Sequence, residues 1–169
     1  RLLFFLLLIG LAGCHGPQKS AIQTGQAAVF SPGSKTELRF KLDAEGRPSY
    51  CVFFKKKLVL GDSPLGFVLA DADFTKGFEV LETSQTDFDE NWQPVLGEVS
   101  TIRDRHRELF VRLGHPATKR ELGIRFRVFD DGIGFRYEFI EKNCPADIHV
   151  FSEKSGFQLL GDHRAWWLP

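Results

Sequence analysis

The sequence predicts an all-β protein built as an antiparallel β-sandwich, and three observations predict it. Apolar and polar residues alternate with period two through most of the chain. Glycine, proline, aspartate and serine interrupt these runs roughly every 8–15 residues, the spacing of short strands joined by turns. No stretch carries the i, i+3, i+4 apolar stripe of a helix over a helical length. The 17 phenylalanines suit the gap of about 10 Å between two packed sheets.

The elements follow in order. In Thr36-Glu-Leu-Arg-Phe-Lys-Leu-Asp43, Leu38, Phe40 and Leu42 alternate with Glu37, Arg39, Lys41 and Asp43, as in a half-buried strand. Ala44-Glu-Gly-Arg-Pro48 is the turn that follows, punctuated by Gly46 and Pro48. Ser49 to Phe54 is the return strand, with Tyr50, Val52 and Phe54 on one face. Lys55 to Lys57 is a charged hairpin end, after which Leu58-Val-Leu60 resumes the sheet. GFEVLE (77–82) and ELFVRL (108–113) are two further short strands, with Arg103 and Glu108 on a wet face. The clearest hairpin pairs Leu122, Ile124, Phe126 and Val128 with Phe135, Tyr137 and Phe139 across Asp130-Asp131-Gly132. Asp-Gly between alternating runs is a strong turn signal because both residues tolerate positive φ.

The N-terminal segment has a different character. Residues 2–13, LLFFLLLIGLAG, carry no charge. They are too few to span about 30 Å of hydrocarbon, which takes about 20 residues. Their length and small-residue ending fit a signal-peptide apolar region, so 1–13 is expected to be a signal peptide. Leu11-Ala12-Gly13-Cys14 resembles a bacterial lipobox, which makes Cys14 the expected lipidation site; the alternative is an ordinary secretory signal with Cys14 incidental. Residues 14–27 are then the lipidated cysteine and a polar tether, and 28–169 a single β-domain. On this reading the protein is exported, a periplasmic or outer-membrane lipoprotein touching the membrane through its lipid alone.

Charge excludes one class of partner. Without Arg1 the chain holds 21 basic against 22 acidic residues, and the basic run RDRHR (103–107) is diluted by Glu98, Asp104 and Glu108. That balance gives no reason to expect a nucleic acid. Cys51 and Cys144 remain as either a disulfide of an oxidising compartment or two buried thiols.

No phosphate loop, G-x-S-x-G or H-E-x-x-H pattern is present, and the histidines at 15, 106, 115, 149 and 163 show no ligand spacing. Asp87-Phe-Asp-Glu-Asn91 lacks the central glycine and distant glutamate of a calcium loop and is read as a solvated acidic loop. Several carboxylates are available for acid–base work, but nothing in the sequence selects a pair. The ending GDHRAWWLP (161–169) stands out. Asp162 and His163 can hydrogen-bond sugar hydroxyls while Trp166 or Trp167 stacks on a pyranose, or the tryptophans can be core or interface residues.

Several strings together resemble the N-terminal domain of glycoside hydrolase family 97. They are Phe30-Ser-Pro-Gly-Ser-Lys35, Trp92-Gln-Pro-Val-Leu-Gly-Glu-Val-Ser-Thr-Ile-Arg103, Arg107-Glu-Leu109, Phe126-Arg-Val-Phe-Asp-Asp-Gly-Ile-Gly-Phe-Arg-Tyr-Glu-Phe139 and Gly161 to Pro169. The resemblance implies a mutarotase-like super-β-sandwich, incomplete at its C-terminal end, from an exported α-glycoside hydrolase of α-glucosides or α-galactosides. It implies a (β/α)8 barrel as intramolecular partner, an oligosaccharide substrate and an active-site calcium, with the catalytic carboxylates beyond Pro169. Asp162, His163, Trp166 and Trp167 become the candidates for the substrate pocket or barrel interface. The missing initiator methionine, together with the missing barrel that the resemblance implies, is read as a sequence cut at both ends, and this stretch alone is expected to be inactive. Inversion and retention stay open, because the carboxylate separation that decides between them is not in this chain. The alternative is a stand-alone carbohydrate-binding or cell-surface lipoprotein module.

Overall fold

The computed structural model describes residues 18–19, 25–140, 147–162 and 164, and every element among them is a strand. In chain order these are β1 (Gln18–Lys19), β2 (Gln26–Phe30), β3 (Thr36–Leu42), β4 (Pro48–Phe54), β5 (Lys57–Pro64), β6 (Phe67–Leu69), β7 (Asp73–Phe74), β8 (Glu79–Trp92), β9 (Ile102–His115), β10 (Arg120–Val128), β11 (Ile133–Ile140) and β12 (Val150–Glu153). They form three antiparallel sheets with strand orders β1-β8-β9-β10-β11, β2-β3-β4-β5 and β12-β6-β7.

The two larger sheets face each other, as the alternation demands. Leu122, Ile124, Phe126 and Val128 of β10, with Leu109, Val111 and Leu113 of β9, turn one face inward. Val29, Leu38, Phe40, Tyr50 and Val52 meet them from the opposite sheet, and all are buried. Phe126 sits between the layers, its ring 6.2 Å from that of Phe40 and 6.0 Å from those of Tyr50 and Phe135. Each such side chain taken from water stabilises the fold by about 1.5–3 kcal/mol before the entropy of ordering it is counted. The small third sheet closes one flank: Phe67 packs its ring on Tyr137 at 5.1 Å and Phe139 at 5.3 Å. The Tyr137 hydroxyl accepts a hydrogen bond from the Gly66 N–H at 2.8 Å, so the buried phenol does not go unpaired.

Turn chemistry departs from expectation at the clearest hairpin. β10 and β11 pair from Val128↔Ile133, so the loop holds four residues, 129–132, and is closed by the Phe129 N–H donating to the Gly132 carbonyl at 2.9 Å. Neither Asp131 nor Gly132 has positive φ. A four-residue loop does not need it. The positive-φ pair lies at the other predicted hairpin end, where Lys55 (φ 48°) and Lys56 (φ 66°) turn β4 into β5. Phe54, expected on the inner face with Tyr50 and Val52, is exposed beside that turn.

The strands read as 77–82 and 108–113 are each 14 residues long and form one continuous hairpin, paired from Glu79↔Gly114 to Trp92↔Ile102. Asp87 to Asn91, read as a solvated acidic loop, therefore lies within β8. Its carboxylates face arginines across the ladder, Asp87 with Arg107 and Asp89 with Arg103. Cross-strand charge pairs hold such a ladder together without apolar alternation.

Candidate functional site

The outer face of the five-stranded sheet carries the densest set of polar side chains. Residues of β9, β10 and β11 that alternate with the core set point there: Glu108 and Phe110, Gly123, Arg125 and Arg127, Arg136 and Glu138. Arg125 grips Glu138 with both ends of its fork, Nε to Oε1 at 2.5 Å and Nη2 to Oε2 at 2.8 Å, and gives its remaining Nη1 to Glu108. Its guanidinium lies over the Phe110 ring, 4.5 Å from the centroid. Arg127 Nε reaches the other oxygen of Glu108 at 3.4 Å, and Arg136 adds a bond to Glu138 at 2.7 Å. Gly123 permits this packing, since a Cβ there would stand 2.7 Å from Phe110 Cε2.

The sequence reading put Glu108 on a wet face, but it is only 4% exposed. Two arginines and a phenylalanine cover that part of the sheet, and burial of the carboxylate is tolerable because both oxygens accept charged hydrogen bonds. Arg103, by contrast, is exposed as expected. Arg125, and then Arg136, hold the Glu138 carboxyl down to about 2, while its own two glutamates push the Arg125 guanidinium further up. At neutral pH Glu138 is an anion locked to arginine and has no proton to give. This cluster is therefore suited to rigidity and charge display, and unsuited to general-acid chemistry.

A second polar feature lies at the root of the long hairpin. The His106 ring is buried, stacked on Phe88 at 4.8 Å and tilted against Phe129 at 4.9 Å, and its Nδ1 meets Asp104 at 2.5 Å. Its Nε2 is buried without a hydrogen-bond partner among the described residues. His115, at the far end of the same strand, packs against Phe74 and Phe78 with Nδ1 on the Thr118 hydroxyl at 2.9 Å. Burial pushes its pKa down.

Asp162, singled out from the sequence, lies elsewhere. It is exposed at the end of the described chain. Cys14, His163, Trp166 and Trp167 lie outside the described residues, as does Cys144. Cys51 is a half-buried free thiol whose pKa burial raises. Among the described residues no three His, Cys, Asp or Glu side chains converge as a metal ion requires, and Glu108 and Glu138 are taken up by arginines. These residues do not fit the calcium that the resemblance implies. The Glu108–Arg125–Glu138 network went unread in the sequence. Its one signal is that arginine and glutamate fill the polar parity of RFRVF and GFRYEF.

The fold is an antiparallel β-sandwich whose outer face is tied into salt bridges. Residues 29–169 match the glycosyl-hydrolase 97 N-terminal family, and the chain belongs to it. Solved structures agree. A glycoside hydrolase family 97 enzyme from Pseudoalteromonas sp. strain K8, solved with acarbose and, in a substituted form, with panose, is 33% identical with a TM-score of 0.76, over 85% of this chain and 22% of that one. A beta-arabinopyranosidase is 31% identical with a TM-score of 0.73, over 79% of this chain and 21% of that one. The chain thus spans about a fifth of these relatives' length.

Proposed function

We propose that this chain is the N-terminal β-sandwich of an exported α-glycoside hydrolase that cleaves α-glucosides or α-galactosides in oligosaccharides. In this reading it packs on a (β/α)8 barrel of the same polypeptide and helps shape that domain's pocket. The observation that carries the reading is membership of the glycosyl-hydrolase 97 N-terminal family over 29–169, with glycosidases as structural neighbours. The paired-off carboxylates of the sheet face agree with a catalytic pair supplied by another domain. Calcium, if the enzyme uses it, belongs to that other domain in this proposal. Export and anchoring through lipidated Cys14 complete it, supported by the apolar run 2–13 and the Leu-Ala-Gly-Cys string.

The test is turnover by the full-length protein of the nitrophenyl α-glucoside, α-galactoside and β-arabinopyranoside. Hydrolysis of either of the first two is expected. Hydrolysis of the arabinoside alone overturns the substrate class, and turnover of none overturns the enzyme reading. Loss of radiolabelled palmitate incorporation in Cys14→Ala, against incorporation in the parent, checks the anchor.

A further inference from the structure

The β8–β9 hairpin outruns its sheet. β10 pairs with β9 only from Arg107 to His115, and β1 meets β8 only at Ser84 and Gln85. Beyond the Phe88↔His106 pair, from Asp89↔Arg105 to Trp92↔Ile102, the two strands have no further strand partner among the described residues, a ribbon that projects by roughly 14 Å at about 3.4 Å per residue. Two-stranded ribbons are marginal in water without further support. This one has a stiff root, where His106 lies between Phe88 and Phe129. It also has a charge-laced shaft, where Arg103 binds both oxygens of Asp89 at 2.6 Å.

Its tip is apolar. Val95 is 98% and Leu96 88% exposed, and Trp92, Val99 and Ile102 are exposed around them. A single exposed leucine needs no explanation, but five large apolar side chains gathered at the end of a stiffened arm form a patch of the kind that marks an interface. The tip has a set shape: Pro94 fixes one backbone angle, and Gly97, at φ 146°, takes a conformation that other residues rarely adopt.

We propose that this tip is a docking arm, with Trp92, Val95, Leu96, Val99 and Ile102 seated in an apolar recess of the hydrolase domain carried by the same polypeptide. The occupant follows from two observations together. The fold is a fifth of a longer chain in its solved relatives. On the shaft Asp89 is paired with Arg103 and Arg105, while the tip carries five exposed apolar side chains against the single charge of Glu98, so what it offers a neighbour is chiefly apolar. The inference rests on the reading above that such a domain accompanies this one.

Hydrogen exchange on the full-length protein tests it without relying on activity. Amides 95–101 are expected to exchange about 100-fold or more slowly than in an unstructured peptide. Val95→Asp with Leu96→Asp removes that protection and lowers or splits the thermal transition. Peptides from β9 and β10 keep theirs in that variant, showing that the sandwich is intact. Glu98→Gln, a polar change in the same tip, alters neither. Unprotected tip amides in the parent protein overturn the proposal. So does protection that fades on dilution, which means a second copy, or protection that needs vesicles of phosphatidylethanolamine and phosphatidylglycerol. Tip protection in a protein that turns over no glycoside overturns the hydrolase reading and leaves the docking contact standing. An active enzyme with a bare tip does the reverse.

Discussion

Gly123→Ala isolates one close contact. Intrinsic preference alone favours the change, since glycine inside a strand costs roughly 0.5–1 kcal/mol relative to alanine. Packing opposes it. The new methyl would stand 2.7 Å from Cε2 and 2.9 Å from Cζ of Phe110, and 3.3 Å from the Glu138 Cβ. The ring cannot retreat freely, because the Arg125 guanidinium lies on it while bonding both Glu138 and Glu108. Forcing a methyl into such a site costs about 1–3 kcal/mol, which exceeds the gain in propensity. The net loss lowers the melting temperature by about 2–4 °C per kcal/mol in a chain of this size. The assay is thermal and urea unfolding of four proteins: parent, Gly123→Ala, Phe110→Ala and the double variant. With the ring removed, the alanine at 123 meets no obstacle, so the double variant is more stable than the sum of the two single losses predicts, with coupling of about 1–3 kcal/mol. Equal or raised stability in Gly123→Ala, or strict additivity, refutes the argument that the ring dictates glycine here.

Two further outcomes follow from the core. Phe126→Ala removes a ring in contact with Phe40, Tyr50 and Phe135 at the centre of the sandwich; it lowers unfolding free energy by about 3–5 kcal/mol in urea titration, and a loss near zero contradicts the two-layer core. His115 is disfavoured as a cation in the fold by burial, so the unfolded chain binds the extra proton more readily; its contribution is full above the ordinary value of 6.5 and is lost as pH falls toward the lower folded pKa. Melting temperature therefore declines below pH 6.5, and His115→Gln flattens that part of the profile.

The fold class was legible because a sheet buried on one side imprints period two directly on its sequence. Leu122, Ile124, Phe126 and Val128 are all buried as their alternation requires. Alternation does not mark a strand whose ladder is held by charges. Asp87 and Asp89 find their arginines 20 and 14 residues away, and no local pattern distinguishes such a strand from a solvated loop. Glu108 was misread for the same reason: Arg125 and Arg127, which make its burial tolerable, lie 17 and 19 residues along the chain. The turn at Asp130 was placed correctly, but its form was not. Asp130 is drawn to the Gly33 N–H at 2.8 Å, 97 residues distant, and that contact belongs to the packing of two sheets.

Of the candidate site, the quoted strings carried the family. The projecting arm and the Arg125 network went unseen, because projection and burial are relations between strands. Alternation in the chain thus determined the inward face of the central strands, though not of Phe54 at a strand end, and that the protein is a sandwich. Only the tertiary structure decided which polar residues are hidden and which apolar ones stand free, since those outcomes depend on neighbours brought together by folding.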